Sequence, residues 1–203
     1  MNITKKIYEE FDKENIVSNE NRNRNYHISQ LSMCGLKYRY ELDHNVRYPF
    51  NWKYLVGNSF EFQYMSKLKK IYPDVELQKE IKYTDEDGNR FVGHLDGYIP
   101  SLDMVLELKA TNSSEMKDIY ERQVKAYMYI GKFKNGKVII YNYIKNVITE
   151  YDIDITDVDL DILSANITAF TTGSYMRGIE NYLCRFCQNS ECVIKQEMGL
   201  HDR

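Results

Sequence analysis

The sequence predicts an α/β protein, a mixed central sheet flanked by helices, and three observations carry that expectation. "VELQKEIKY" and "RFVGHLDGYI" alternate apolar and polar residues with the two-residue period of a strand. Between them, "TDEDGN" holds Asp-Gly and Gly-Asn steps, which are strong hairpin signals. Stretches with helical periodicity separate this hairpin from further strands, so both element types must share a core.

In chain order, residues 1–25 open with a short amphipathic stretch (Ile3, Ile7, Tyr8, Phe11) and pass into polar "SNENRNRN", expected as a loop. "HISQLSMCGLKYRYEL" reads as a helix carrying Cys34. A further helix runs from about Trp52 to Tyr72 and stops before Pro73. The two strands around "TDEDGN" follow, then "MVLELKA" as a third. Asn112 with Glu115 has the spacing of a capping box, opening a helix that ends near Gly131. "KVIIYNYI" and "ITEYDIDI" form a second hairpin across Lys145-Asn146. "TDVDLDILSANITAF" is the last helix, with Leu160, Leu163, Ile167 and Phe170 on one face and Gly173 as its stop. No repeat or low-complexity linker interrupts the chain, so residues 1–203 are expected to form a single domain.

Apolar residues make up 43% of the 203 and charged residues 28%, with only 3 Pro, which suits a packed core and excludes a disordered chain. No apolar run approaches the ~20 residues of a membrane span. The acid-containing start lacks the apolar segment of a secretory signal, so a soluble, cytoplasmic protein is expected. A net charge of -3 does not announce a nucleic-acid binder. Attraction to phosphate would rest on local groups such as Lys67, Lys69 and Lys70, or Lys132, Lys134 and Lys137.

Cys184, Cys187 and Cys192 form a C-x2-C-x4-C triplet, and the only other cysteine is Cys34. Structural disulfides are disfavoured in the cytoplasm. Four thiolates with none left over suit zinc or an iron–sulfur cluster, and spacing alone does not choose between them.

The central carboxylates lie in "GHLDGYIPSLDMVLELKAT". A turn centred on Ser101-Leu102 puts Asp96 opposite Glu107 and His94 opposite Lys109. Directly paired side chains are close, and like charges there repel. Alternation then places Lys109 on the face of Glu107, with Leu95, Gly97, Leu106 and Leu108 on the opposite face. A solvated sheet face is the bland account of this pattern, and two observations oppose it. On the next helix the stripe Met116, Tyr120, Gln123, Tyr127, Ile130 is apolar except for Gln123, which must find polar partners inside. On the Trp52–Tyr72 helix, Glu61 is the charged exception in the stripe Glu61, Met65, Leu68, Tyr72. Three carboxylates and a lysine able to converge form a hard-cation site suited to Mg²⁺ or Mn²⁺. Metal-assisted hydrolysis of a phosphodiester uses such parts.

These residues resemble a known family. Gly93-His94-Leu95-Asp96, Glu107-Leu108-Lys109 and Gln123-x-x-x-Tyr127 are similar to the PD-(D/E)xK nuclease motifs in their RecB-like form. Cys34 in "CGLKYRY", with Cys184, Cys187 and Cys192, resembles the iron–sulfur branch, which includes CRISPR-associated RecB-like exonucleases and phage and archaeal-virus relatives. The resemblance runs from about residue 28 to 194. It implies a restriction-endonuclease-like fold with an appended four-cysteine cluster region. It also implies a DNA nuclease dependent on Mg²⁺ or Mn²⁺, acting on single-stranded DNA or DNA ends. Asp96, Glu107 and the Leu108 carbonyl would hold the metal, Lys109 would be the catalytic lysine, and Gln123 and Tyr127 would place DNA and lysine. The cysteines would hold a four-iron, four-sulfur cluster clamping the region around Cys34 to the tail at 184–192.

This sequence departs from the family at two points. Glu61 follows Gly57 by four residues where the family has a metal-binding histidine, and the cysteine triplet is one residue shorter than the common C-x2-C-x5-C. Neither His94 nor His44 matches that histidine's position. Two rivals stand beside the enzyme: a catalytically silent scaffold binding DNA or CRISPR adaptation proteins, and a zinc-clasped binding module.

Overall fold

The computed structural model describes residues 6–7, 9–11, 26–44, 46, 51, 53–173 and 182–200. Ile3, Tyr8, Trp52 and the "SNENRNRN" segment lie outside them; Lys6–Ile7 and Glu9–Phe11 are helical. The sheet has six strands: β1 (Tyr26–His27), β2 (Glu76–Thr84), β3 (Arg90–Ile99), β4 (Met104–Thr111), β5 (Asn135–Asn142) and β6 (Val147–Ile153). Their order is β1-β3-β4-β5-β6, with β2 also pairing β3. β1 and β3 run parallel, as do β4 and β5, and the other pairs are antiparallel. The sheet is therefore mixed, as expected.

The helices are α1 (Gly35–Asp43), α2 (Lys53–Ile71), α3 (Asp118–Gly131), α4 (Asp157–Thr172) and a short α5 (Val193–Glu197). None is long and apolar enough to cross a membrane among the described residues. β4, α3 and β5 form a parallel crossover unit. α3 covers one sheet face, where Val124, Ala126, Tyr127 and Met128 pack with Phe91, Leu95, Val105, Val138 and Ile140. α4 joins this core through Leu163, Ile167 and Phe170. It starts at Thr156, whose side chain accepts from Asp159 N–H, and ends at Gly173 with φ 70°. α2 covers the other face, with Met65, Leu68 and Tyr72 on Ile99, Leu106, Leu108 and Ile139.

Three expectations are corrected. Cys34 is not inside a helix. A 3-10 turn, Ile28–Ser32, ends at extended Met33, and the Cys34 carbonyl accepts Tyr38 N–H at 3.1 Å, which makes Cys34 the entry to α1. The Asn112–Glu115 capping box does not form, and α3 begins six residues after Asn112, at Asp118. The hydroxyls of Thr111 and Ser113 satisfy the Ser113 and Glu115 amides at 3.0 and 3.2 Å. Tyr151 and Asn142 then tie down Ser114 at 2.7 and 3.2 Å, which keeps the connection extended.

The third correction concerns β3. Leu95 and Gly97 were expected on one face. Instead Phe91, Gly93 and Leu95 face α3, whereas Gly97 meets Met65 of α2 and Ile99 joins the α2 side. Simple alternation would keep all five together. The strand therefore turns its faces over at Asp96.

Gly93 ties this strand to α3 by close approach. A Cβ there would stand 2.8 Å from Tyr127 Cε1 and 3.0 Å from Ile28 Cδ1. Gly93→Ala should therefore destabilise the fold by about 1–3 kcal/mol through overpacking, read as a lower urea midpoint at unchanged m-value.

Candidate active site

β3 and β4 pair in the expected register at Gly97–Leu106, Tyr98–Val105 and Ile99–Met104, and there the ladder ends. One step further, Asp96 and Glu107 would face each other. Instead Asp96 Oδ2 accepts the Leu108 backbone N–H at 2.7 Å. A carboxylate has replaced a strand carbonyl as the partner of that amide, and the two strands part into a fork. The β2 side is distorted at the same level. Pairing skips from Leu77–Gly97 to Lys79–Leu95, and Gln78 between them has φ 49°. The fork is where β3 turns its faces over.

Side chains from both sheet faces meet in this opening. Glu61 comes from α2, with one carboxylate oxygen accepting the Gln78 side-chain amide. Glu107 and Lys109 come from β4 and form an ion pair through Glu107 Oε1. Glu107 is 1% exposed, and its Oε2 has no hydrogen-bond partner among the described residues. A buried carboxylate oxygen without a partner is costly, on the order of 1–3 kcal/mol or more.

The charges bear the marks of crowding. Burial pushes the Glu107 carboxyl up to about 7, with Asp96 and Glu61 adding to the shift and Lys109 opposing it. Burial also raises Asp96, against the Lys109 charge and the Leu108 N–H. Glu61 is raised by burial and then by Asp96, against Gln78 and Lys109. Burial alone would lower the Lys109 ammonium, but Glu107 and Asp96 outweigh it and hold its pKa above the usual lysine value. Lys109 is thus the counter-ion of three acids. Among the described residues no three carboxylate, imidazole or thiol groups already stand at cation-holding geometry.

On α3, Gln123 Nε2 donates to Tyr127 Oη at 3.2 Å. Tyr127 is 3% exposed. Burial, with the charges of Glu107 and Asp96, raises its phenol well above the ordinary value, so it keeps its proton. Gln123 meets the site through this bond. His94 instead pairs across the strand with Glu80, at 3.6 Å, and stays outside the fork. Lys67, Lys69 and Lys70 are exposed near the C-terminal end of α2, and Lys137 pairs with Glu150 and Asp152 at 3.1 and 2.8 Å.

The sequence matches no family model and no curated protein. Among solved structures it is similar to the protein SSO0001, with a TM-score of 0.70 at 18% identity over 89% of this chain and 93% of that one. It is similar to the alkaline exonuclease LHK-Exo of Laribacter hongkongensis, at TM-score 0.58 and 14% identity over 76% and 89% of the two chains. A phage-related exonuclease of Haemophilus somnus 129PT gives 0.53 and 12% over 73% and 92%. The fold is that of these exonucleases.

Within this exonuclease fold the cysteines occupy a separate region. Cys34, Cys184 and Cys192 are buried, Cys187 is half-buried, and none of the four forms a disulfide. Leu36, two residues after Cys34, packs against the cluster of Cys184, Cys192 and Ile194, so the segment that follows Cys34 meets the one that holds the other cysteines. Burial raises the Cys187 thiol, against the Asn189 amide and the charges of Lys37 and Lys195, with Cys34 close enough to contribute. Lys195 is 5% exposed and donates to the Cys187 carbonyl at 3.0 Å.

Sequence reading missed Gln78 and the pairing of Tyr120 with lysines. Gln78 sits in an exposed strand, where a polar residue carries no signal, and its positive φ is not written in its residue type. Tyr120 was seen as a member of the α3 stripe, yet its ring centroid lies 5.5 Å from Lys109 Nζ and 5.6 Å from Lys117 Nζ.

The raised Glu107 carboxyl gives a pH signature in chelator. Its folded pKa, about 7, lies above the unfolded value, so the native state binds the extra proton between the two. Its contribution to stability is intact below about pH 4 and is lost as pH rises through about 7. Urea titrations in EDTA should show wild type losing about 1–3 kcal/mol over that window. Glu107→Gln should flatten the slope; an equal slope in the variant would contradict the assignment.

Proposed function

We propose that the chain, 1–203, is one nuclease domain that hydrolyses DNA phosphodiesters with a divalent metal, Mg²⁺ or Mn²⁺. One observation carries this reading: three acids and a lysine from three chain segments act on one another at a fork in the sheet, with a buried Glu107 oxygen that has no hydrogen bond among the described residues. The exonuclease neighbours support it, and one structure of LHK-Exo is a complex with dAMP.

The donor set fits a hard cation, because all the candidate ligands are oxygens. Glu61, Asp96, Glu107 and the Leu108 carbonyl would hold it. The metal, when bound, supplies Lewis acidity and a more acidic water. The chain's own residues supply the rest. Lys109 stays an ammonium under the influence of Glu107 and Asp96, so it serves as a cation that orients water and stabilises negative charge developing on the phosphate. It is not a general base. The neutral Tyr127, fixed by Gln123, walls the site from the α3 side.

The same reading assigns Cys34, Cys184, Cys187 and Cys192 to a four-iron, four-sulfur cluster that joins the entry of α1 to the tail. Three buried thiols, with the charges of Lys37 and Lys195 acting on the fourth, Cys187, suit a group of net negative charge. Single-stranded DNA or DNA ends are the substrates proposed, and CRISPR adaptation or phage and viral DNA processing the setting.

End-labelled single- and double-stranded DNA, incubated with Mn²⁺, Mg²⁺ or EDTA, tests the reaction. Wild type should cleave only with metal, and Lys109→Ala should lower kcat by about 100-fold or more. Metal-independent DNA binding without cleavage would leave the silent scaffold instead. For the cysteines, anaerobically purified protein should be brown and contain iron and acid-labile sulfide, both lost in Cys187→Ser; colourless protein containing zinc would contradict the cluster.

A further inference from the structure

Each acid at the fork has one oxygen already taken by an N–H donor of the chain. Leu108 N–H holds Asp96 Oδ2 at 2.7 Å, the Lys109 ammonium holds Glu107 Oε1, and the Gln78 side-chain amide holds Glu61 Oε1. The second oxygen of each acid accepts no hydrogen bond among the described residues. Two of the donors stand on β4 beside the acids. Gln78 comes from β2, and an exposed amide–carboxylate contact by itself adds little to stability. The backbone is nevertheless bent where this contact is made. Gln78 has φ 49°, a left-handed conformation that a long side chain rarely adopts. It stands opposite Asp96, between the pairs Leu77–Gly97 and Lys79–Leu95. Leu77 shares its face with Gly97, which meets Met65 of α2, whereas the Lys79 ammonium lies 4.1 Å from the ring centroid of Tyr98, on the α3 side. β2 thus turns over at Gln78 as β3 does at Asp96, and the Gln78 side chain reaches Glu61 on α2.

Building on the nuclease reading, we propose that Gln78 keeps Glu61 a one-oxygen ligand and so favours a small octahedral cation, Mg²⁺ or Mn²⁺, over Ca²⁺. Mg²⁺ demands near-ideal octahedral geometry and keeps several waters, whereas Ca²⁺ takes roughly six to eight oxygens and accepts both oxygens of one carboxylate. Glu61 is the acid whose second oxygen can be freed without breaking the sheet or displacing the lysine. Asp96 is held by a backbone amide and Glu107 by Lys109, but Glu61 by a side chain alone. Gln78 is then a positioning residue that acts through Glu61 rather than a ligand itself.

Calorimetric titration of Mn²⁺ and of Ca²⁺ into the full chain, freed of divalent cations by chelator, reads this preference without turnover. Wild type should bind Mn²⁺ more tightly than Ca²⁺. Gln78→Gly removes the amide and relieves the positive φ, so its thermal unfolding midpoint should be no lower than that of wild type. Its Mn²⁺ affinity should fall about tenfold while its Ca²⁺ affinity is no weaker, so the preference narrows by the same factor. Gln78→Leu, which keeps a bulky side chain without the donor, should narrow it equally. An equal fall for both ions, or a fall in neither, overturns the proposal, while saturable Mn²⁺ binding by wild type keeps the metal site of the nuclease reading. A wild type that prefers Ca²⁺ overturns the proposal as well. A wild type that binds neither ion overturns both.

Discussion

In an antiparallel pair of strands, each inward N–H meets a carbonyl across the ladder. Leu108 instead gives its N–H to the Asp96 carboxylate, and the geometry of the candidate site follows from that exchange. It ends β3–β4 pairing after Gly97–Leu106, while β4 stays fully paired with β5. One strand is thereby held rigid from behind and open in front. Glu107 and Lys109 stand on the rigid strand, Asp96 on the departing one, and Glu61 enters from the helix on the far face. The opening also explains why β3 changes the face it offers to the core at the same residue.

The fork concentrates negative charge in a poorly solvated place, and the fold offsets that in two ways. Lys109 neutralises part of it by direct pairing with Glu107. The remainder appears as carboxyl groups that hold their protons more tightly than usual. A protein interior that keeps an unpartnered carboxylate oxygen at some cost to stability is characteristic of a site built for a ligand rather than for the core.

Much of this was legible in the sequence, because the signals were local. The β3–β4 register followed from Pro100, Ser101 and Asp103 in a short turn, and α2 and α3 from stripes in which Glu61 and Gln123 were the polar exceptions. What escaped were features set by tertiary contacts. The 3-10 turn that ends at Met33 is pinned by Ile28 and Leu31, which are buried in the core on the α3 side of the sheet. The late start of α3 depends on Tyr151 and Asn142 holding Ser114 from other strands. The face reversal at Asp96 and the positive φ of Gln78 lie opposite one another in the sheet, and neither residue type announces either. The cysteines were readable as a group because their spacing is local at one end. Only packing shows that Leu36 brings the segment after Cys34 to the other three.

The central claim is that the fork holds a divalent cation through Glu107. Calorimetric titration of Mn²⁺ into chelator-treated, cluster-intact protein tests it most directly, beside Glu107→Gln. The account predicts saturable binding by wild type, accompanied by proton release near neutral pH, and its loss in the variant. Binding of equal strength and stoichiometry in both proteins would contradict it.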